Sequence, residues 1–193
     1  AALGQIGLPL AIGVGDAVAE LGRLAEAHGA TRLVSHEETG NGWTYARDRR
    51  VADWAASRGL AWDELAQSGV VRRLASRDGW AGRRERMLCQ PQLPVPEGLR
   101  APDTVPLRAL PTAADLGMRP DPCPDRQPGG RTAALALLGS FLTERGRSYR
   151  KAMSSPVAGE TACSRLSPHL ALGTLSMREA HQAALARRAE TKG

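Results

Sequence analysis

Apolar and polar positions near the N-terminus follow two different periods. Residues 8–14 form a short apolar run, which is typical of a strand buried in a parallel sheet. Over residues 17–28 the apolar positions recur at helical spacing, with Asp16 before them and Gly29 after them. Because Asp is a favoured N-cap and Gly is favoured just beyond a helix, the pattern predicts a strand followed by a capped helix.

The same alternation continues further along the chain. Residues 31–35 and 60–65 are two more strand candidates, and residues 44–58 have a helical pattern with Thr44 as the expected N-cap. Strand, helix, strand, helix, strand is the order of a parallel sheet with crossover helices, so an α/β domain is predicted here. Ligands of such sheets bind beyond the carboxyl ends of the strands, which is where the loop 35–43 lies.

Proline interrupts this pattern in the middle of the chain. Ten of the thirteen prolines lie between Pro91 and Pro128. Because proline lacks a backbone donor and fixes φ, this stretch is predicted to be an extended connector. The predicted organisation is an α/β domain over residues 1–88, a proline-rich interdomain linker over 89–130 and a helical domain over 131–193.

Helical periodicity returns after the linker. Residues 132–145 form a strongly apolar helix, and Ser167 with Pro168 suits the N-cap and first position of a short helix. Ser176 and Glu179 have the spacing of a capping box, which predicts the start of a final helix. The C-terminal part is therefore predicted to be all-α.

Both ends of the chain suggest a fragment. The first residue is Ala rather than Met, and the predicted C-terminal helices carry more apolar surface than they can cover alone. We therefore expect the chain to lack its natural start and most of the helical domain. A ligand pocket in that domain would then be incomplete, and the fragment inactive.

The charge of the chain suits a polyanionic partner such as DNA. The formal net charge is +6, with 26 basic residues, and the sequence pI is about 10.0. All but two of the basic residues are Arg, a bias that genome base composition also produces. Charge alone therefore leaves both explanations open.

Cysteine usage and hydropathy indicate the compartment. The three cysteines are widely spaced and form no CxxC pair, so we expect a reduced cytoplasmic protein without a metal site. No apolar run approaches the roughly 18 residues needed to span a bilayer, so no membrane association is expected.

The segment from Gly159 to Glu179 carries the most chemistry. Ser164 and Ser167 surround a predicted helix start, where free amides and the helix dipole attract anions. Arg165 adds a fixed positive charge, so the segment is suited to a pyrophosphate. The alternative from the residues alone is that Ser167 caps the helix and that Arg165 is solvated.

Several motifs resemble the photolyase/cryptochrome family. SRLSPHLALGTLSMRE, at 164–179, is similar to the segment that opens that family's FAD-binding helical domain. GGRTAALALLGSFLTERGRSYR, at 129–150, resembles its first helices after the linker. HEETGNGWTYARDRRVADW, SGVVRRL and DGW resemble its antenna domain, and all motifs occur in the family's order. The resemblance implies a Rossmann-like antenna domain, a linker and the start of an all-α FAD-binding domain.

The resemblance also implies which residues bind FAD. They are Tyr149, Thr161, Cys163, Ser164, Arg165, Leu166 and Ser167. Cys163 stands where many members have Thr, and a thiol is a weak hydrogen-bond donor, so Thr161 is an alternative source of the hydroxyl. Met153 stands where many members have an Arg that faces DNA, which weakens the inference of repair.

An antenna chromophore of the folate or deazaflavin type is a second implication. Its expected contacts are Glu37, Glu38 and Tyr45 in the loop and helix that follow the second strand candidate. The structural alternative is that Trp43 packs on the sheet edge and that the nearby arginines form a solvated helix face.

Three functions follow as hypotheses. The first is a deoxyribodipyrimidine photo-lyase, a carbon–carbon lyase that splits pyrimidine dimers in UV-damaged DNA by electron transfer from reduced FAD. The second is a cryptochrome-type blue-light photoreceptor without repair activity. The third is a non-catalytic nucleotide-binding α/β module. In each case we expect a monomer, and no catalytic residue can be assigned.

Overall fold

The computed structural model describes residues 2–105 and 108–191. Their helices and strands follow the order α1 (Ala2–Gln5), α2 (Ala17–His28), β1 (Arg32–His36), α3 (Gly42–Ser57), β2 (Ala61–Leu65), α4 (Trp80–Leu88), α5 (Arg131–Thr143), a 3-10 turn (Arg145–Ser148), α6 (Tyr149–Ala152), α7 (Pro156–Ala162), α8 (Ser167–Ala171) and α9 (Met177–Glu190). The first unit contains the described parts of 1–72 and 93–122, and the second unit contains those of 73–92 and 123–193.

The first unit is built on a small parallel sheet. Strands β1 and β2 pair from Arg32 opposite Ala61 to His36 opposite Leu65. Helix α3 packs against β2 and α2, and its Val51 is buried. The predicted strands 31–35 and 60–65 are therefore confirmed, and the described residues have a mixed α/β fold that is mostly helical.

The predicted strand over residues 8–14 is wrong. These residues form neither helix nor strand, and Leu10 and Val14 are both more than half exposed. A strand needs a ladder of backbone hydrogen bonds with a neighbour, and Pro9 has no N–H to contribute. Within residues 2–105 and 108–191 the sheet has two strands. The larger Rossmann-like sheet expected from the sequence is not confirmed.

Local capping fixes the ends of the two long helices of the first unit. The Asp16 side chain accepts from the amides of Val18 and Ala19, and Gly29 ends α2 at a φ of 59°, as predicted. The predicted cap of α3 is wrong, because Asn41 rather than Thr44 occupies that position. Asn41 Oδ1 accepts from the amides of Trp43 and Thr44, so the cap of α3 lies three residues earlier than expected.

The proline-rich stretch has the irregular backbone that its composition predicts. Residues 89–105 and 108–130 contain neither helix nor strand. Its role as an interdomain linker and the domain boundaries at residues 88 and 130 stay predictions.

The second unit is a small helical assembly around one apolar core. Ala134 and Leu138 of α5 pack with Leu166 and Leu175, each at most 8% exposed. The predicted capping box of α9 is confirmed. The Ser176 hydroxyl accepts from the backbone amide of Glu179, and the Glu179 carboxylate accepts from the backbone amide of Ser176.

Helix boundaries in the second unit differ from two expectations. Helix α5 ends at Thr143, and Arg145–Ser148 form a 3-10 turn instead of its last turn. Helix α8 begins at Ser167, with Leu166 in the N-cap position, so the prediction of Ser167 as the N-cap is wrong. No side chain of the described residues donates or accepts a capping hydrogen bond at the start of α8. The residue in the N-cap position, Leu166, is instead buried in the core. None of the described helices is both long and apolar enough to cross a bilayer.

Candidate functional site

The short connection between α7 and α8 is fixed at both ends. Ser155 Oγ accepts from the amide of Ala158 at 3.2 Å, and Pro156 follows at the first helical position, so α7 has a well-defined start. After α7 ends at Ala162, four residues lead to α8, and the last of them, Leu166, lies in the core. We call residues 163–166 the α7–α8 loop.

Arg165 gives the α7–α8 loop an unusual backbone conformation. Its φ of 60° is left-handed, which is uncommon for a residue other than glycine. Leu166 follows with a right-handed conformation, at a φ of −82° and a ψ of −11°. Successive left- and right-handed residues turn their amides toward one side and form a concave site for an anion, called a nest.

The amides of this nest are free to bind a ligand. Within the described residues, no hydrogen bond is found from the backbone N–H of Ser164, Arg165, Leu166 or Ser167. Backbone N–H groups are strong donors that rarely stay unused unless water or a ligand takes them. The loop therefore offers four consecutive donors.

Arg145 orients these amides from the opposite side. Its guanidinium donates to the carbonyl oxygens of Cys163 at 2.5 Å, Ser164 at 3.3 Å and Thr161 at 3.5 Å. In a planar trans peptide the C=O and the following N–H point in opposite directions. Because the carbonyls of Cys163 and Ser164 face Arg145, the amides of Ser164 and Arg165 face away from it.

Arg145 is itself held by the end of α5. Its guanidinium also donates to the carbonyl of Leu137 at 2.8 Å and to Ser140 Oγ at 2.9 Å. Sequence reasoning missed this residue and treated it as the end of an apolar helix. Its loop partners lie 16 to 19 residues further along the chain, and no short-range pattern signals such a contact.

The predicted FAD contacts lie in and around the loop, at different depths. Cys163 and Ser164 are half-buried, Arg165, Ser167 and Thr161 are exposed, and the Leu166 side chain is buried in the core. The Leu166 side chain therefore anchors the loop in the core. Cys163 ends α7, and Thr161 Oγ1 donates to the carbonyl of Ala158 at 3.3 Å.

Tyr149 lies on the neighbouring short helix. Helix α6 begins at Tyr149 and packs against α7, and Ala152 of α6 and Ala162 of α7 are both buried. The Tyr149 ring is 37% exposed and meets Phe141 edge-on, with centroids 5.7 Å apart. Its exposed side remains available, although within the described residues no hydrogen bond joins Tyr149 to the α7–α8 loop.

A buried histidine follows the loop on α8. His169 is 3% exposed, and its Nδ1 lies 3.0 Å from Thr174 Oγ1. Its Nε2 is shielded from water and has no hydrogen-bond partner among the described residues. An orphaned buried nitrogen is unusual in a native fold and is consistent with a ligand-binding region.

Donors and positive charge make the loop suitable for a phosphate or pyrophosphate. The nest supplies four free amides, Ser164 and Ser167 supply hydroxyls, and Arg165 supplies an exposed cation. The residues present thus fit the charged middle of a dinucleotide such as FAD.

The first unit contains a separate cavity of about 790 Å³. Leu33, Val34, Ser35 and His36 of β1 line it, so it runs along most of that strand. Trp43 also lines it and is 73% exposed, so it does not pack on the sheet edge. Ligands of α/β sheets bind beyond the carboxyl ends of the strands, and of the β1 residues that line the cavity His36 lies at that end.

The predicted antenna residues lie beside this cavity and are engaged elsewhere. Glu37 accepts from Arg72 Nε at 3.0 Å, and Glu38 accepts from the amide of Gly40 at 2.8 Å. Tyr45 is half-buried on α3. The wall of the cavity is formed by other residues, including His36, Trp43, Arg47, Asp48 and Trp62.

Carboxylates hold the arginine beside the cavity in a fixed position. A hydrogen bond to Glu64 is the main cause that raises the pKa of Arg72, and Glu37 contributes further. Arg72 Nη1 also lies 3.8 Å from Asp48, which is only 9% exposed. Glu37 is therefore part of an ion-pair network, and a chromophore would have to compete for it.

Comparison with known proteins supports a photolyase-like fold. The chain is similar to the crystal structure of a bacterial class III photolyase from Agrobacterium tumefaciens, with a TM-score of 0.66 and 22% sequence identity. The similarity covers 88% of this chain and 38% of that chain. No protein-family model and no curated protein sequence matches this chain.

Proposed function

We propose that the chain is part of a photolyase-type flavoprotein in which the α7–α8 loop binds the pyrophosphate of FAD. The observation that carries this proposal is the run of backbone amides from Ser164 to Ser167 without a hydrogen-bond partner among the described residues, two of which, those of Ser164 and Arg165, are turned outward by the Arg145 guanidinium. The photolyase-like fold and the motif at 164–179 support the same ligand.

Each predicted contact then has a distinct task. The amides of Ser164 to Ser167 hold the phosphate oxygens, and the hydroxyls of Ser164 and Ser167 add donors. Arg165 offsets the negative charge from the solvent side. Tyr149 reaches the same ligand from α6, and Thr161 or Cys163 supplies one further donor. Arg145 acts as a positioning residue, because it bonds carbonyls of the loop and keeps their amides turned outward.

Repair of UV-damaged DNA is the activity that we propose for the whole protein. Reduced FAD, when bound and excited by light, supplies the electron for splitting a pyrimidine dimer, which defines a deoxyribodipyrimidine photo-lyase. This chain's residues bind and orient that cofactor. Residues 1–88 would act as the antenna domain, 89–130 as the linker and 131–193 as the start of the FAD domain, in a monomeric cytoplasmic protein.

A cryptochrome-type photoreceptor is the second candidate, and one residue favours it. Met153 is 52% exposed and uncharged at the position where the resembling family often has an Arg facing DNA. Because phosphate contacts dominate DNA affinity, the lack of this cation favours a protein that binds damaged DNA weakly.

A light-dependent assay distinguishes these candidates. The complete gene product is purified in the dark and illuminated with blue light in the presence of an oligonucleotide containing a thymine dimer. Loss of dimers supports repair, and photoreduction of the flavin without loss of dimers supports a photoreceptor. A product that carries no flavin and takes none up contradicts both and favours the nucleotide-binding module.

A further inference from the structure

Three side chains with metal-binding atoms meet in the second unit, outside the α7–α8 loop. Glu85 lies on α4, and Cys89 follows four residues later, directly after the helix end, so both lie on one face. His181 lies on α9, which packs against α4. The thiol sulfur, a carboxylate oxygen and an imidazole nitrogen lie within 4.8 Å of one another.

Two of the three separations match those of a metal coordination sphere, and the third, between Cys89 and His181, is within 4.8 Å. Glu85 Oε1 lies 3.5 Å from Cys89 Sγ and 3.5 Å from His181 Nε2. Tetrahedral zinc has bonds of about 2.0–2.3 Å to such ligands, which places two ligand atoms about 3.3–3.6 Å apart. Small side-chain adjustments are therefore enough to admit an ion.

His181 Nε2 lies 3.5 Å from the Glu85 carboxylate but makes no hydrogen bond with it. Its side chain is 19% exposed, yet Nε2 is shielded from water and has no hydrogen-bond partner among the described residues. An unsatisfied ring nitrogen in a shielded place is unfavourable unless something binds it. Neutral imidazole nitrogen is among the commonest metal ligands in proteins.

Hydrogen bonds on both sides of Cys89 hold the two helices together. Gln182 Nε2 donates to the carbonyl of Leu88 at 2.9 Å and to that of Gln90 at 2.7 Å. Arg178, one turn earlier on α9, donates to the carbonyl of Pro91 at 2.8 Å. Because the residues next to Cys89 and His181 are fixed by these hydrogen bonds, the two ligands are held close together before a metal binds.

We propose that Glu85, Cys89 and His181 bind one zinc-type divalent cation that cross-links α4 to α9. Cys89 binds as the thiolate and releases its proton to solvent, and water takes the fourth position. The thiolate and the carboxylate together balance the two positive charges of the ion.

Sequence spacing could not indicate this site. The odd number of cysteines without a CxxC pair predicted that no metal is bound. The imidazole comes from a helix far along the chain, and only the packing of α9 against α4 brings it to Cys89.

Cobalt provides a spectroscopic test on the complete 193-residue chain. Metal-free chain titrated with Co²⁺ should bind one equivalent with a thiolate-to-metal absorption band, and Zn²⁺ should displace it, because Zn²⁺ binds such ligand sets more tightly. Cys89→Ser and His181→Gln should each weaken Zn²⁺ affinity by roughly 100-fold or more. Cys123→Ser removes an exposed cysteine outside the cluster and should leave the affinity unchanged.

A measurement on the unaltered chain guards against a folding defect in the variants. Saturating Zn²⁺ should slow the alkylation of Cys89 at least tenfold, because a metal-bound thiolate is shielded from the reagent. The alkylation rate of Cys123 should not change. Equal alkylation of Cys89 with and without Zn²⁺ would overturn the proposal. So would a Cys89→Ser chain that binds Co²⁺ with the same band and affinity.

Discussion

Arg145 donates a hydrogen bond of 2.5 Å from its guanidinium to the carbonyl oxygen of Cys163, 18 residues further along the chain. This contact joins the turn after α5 to the loop before α8, and further bonds to Thr161 and Ser164 extend it. A structural arginine thereby determines which way two amides of the candidate phosphate site, those of Ser164 and Arg165, point. Its removal should affect both stability and ligand binding.

Arg145→Gln should lower the free energy of unfolding by about 2 kcal/mol, because it removes several charge-assisted hydrogen bonds to half-buried carbonyls. It should also weaken FAD binding by the complete gene product at least tenfold. Arg150→Gln, which removes the same charge from an exposed position on α6, is the control. Urea denaturation and flavin titration measure the two effects. Equal behaviour of the two variants would contradict the positioning role of Arg145.

Two substitutions at Arg165 separate backbone conformation from charge. Glycine adopts the left-handed φ of 60° without strain, so Arg165→Gly should keep or raise stability by up to about 1 kcal/mol. Arg165→Val should lower stability by about 1–2 kcal/mol, since β-branched residues are strained there. Both variants lose the same charge. If Arg165→Gly binds FAD more tightly than Arg165→Val, the difference comes from the backbone conformation of the nest and not from the charge. Equal stability of the two variants would argue against a left-handed Arg165.

The start of α9 should contribute a pH-dependent part of the stability. The hydrogen bond from Arg131 is the main cause that lowers the pKa of Glu179 from 4.5 to about 2, and Ser176 contributes. Since the folded pKa lies below the unfolded one, this stability is complete above about pH 4.5 and is lost as the pH falls toward 2.

Glu179→Gln should therefore unfold more easily at pH 7, by about 1 kcal/mol, because screening at the half-exposed Arg131 limits the gain. Its stability should also change less than that of the unaltered chain between pH 5 and 2. Glu190→Gln on the same helix, whose partner is Arg187 at 3.0 Å, is an exposed control. Thermal unfolding at several pH values measures the stability of the three chains. If stability changes with pH in the same way for all three, Glu179 does not contribute the predicted pH-dependent stability.

The corrected cap of α3 can be tested by two alanine substitutions. Asn41→Ala removes the oxygen that accepts from Trp43 and Thr44, and should cost about 1 kcal/mol. Thr44→Ala removes one hydroxyl that donates to the carbonyl of Asn41 at 2.9 Å, and should cost a few tenths of a kcal/mol. Denaturant unfolding ranks the two, and a larger loss for Thr44→Ala would restore the original prediction.

Most signals that act over a few residues were predictable from the sequence, although the cap of α3 was assigned to Thr44 instead of Asn41. Asp16 and Gly29 limit α2, and Ser176 with Glu179 starts α9, because each cap involves neighbours within four residues. Residues 8–14 could not be predicted as irregular, because an apolar run becomes a strand only where another strand pairs with it. The buried Leu166 replaced the expected polar cap of α8 for a similarly non-local reason.

In the candidate site, too, some features could be predicted from the local sequence and others could not. The motif at 164–179 identified the segment, and the FAD contacts assigned to it stay predictions. The left-handed Arg165, the support from Arg145 and the cluster around Cys89 all depend on tertiary contacts, which spacing along the chain does not reveal. A ligand site at the carboxyl end of β1 stays a prediction, because the cavity runs along that strand and Glu37 and Glu38 are paired with other groups.

Amide chemical shifts measure the central claim most directly. FAD is titrated into the isotope-labelled 193-residue chain, and the backbone amide signals are followed by NMR. Binding is expected to be weak, with the largest shifts at the amides of Ser164 to Ser167 and with the same set responding to inorganic pyrophosphate. Shifts confined to the residues around the first unit's cavity, or no shifts at Ser164 to Ser167 at saturating FAD, would contradict the assignment of the α7–α8 loop to a dinucleotide's phosphates.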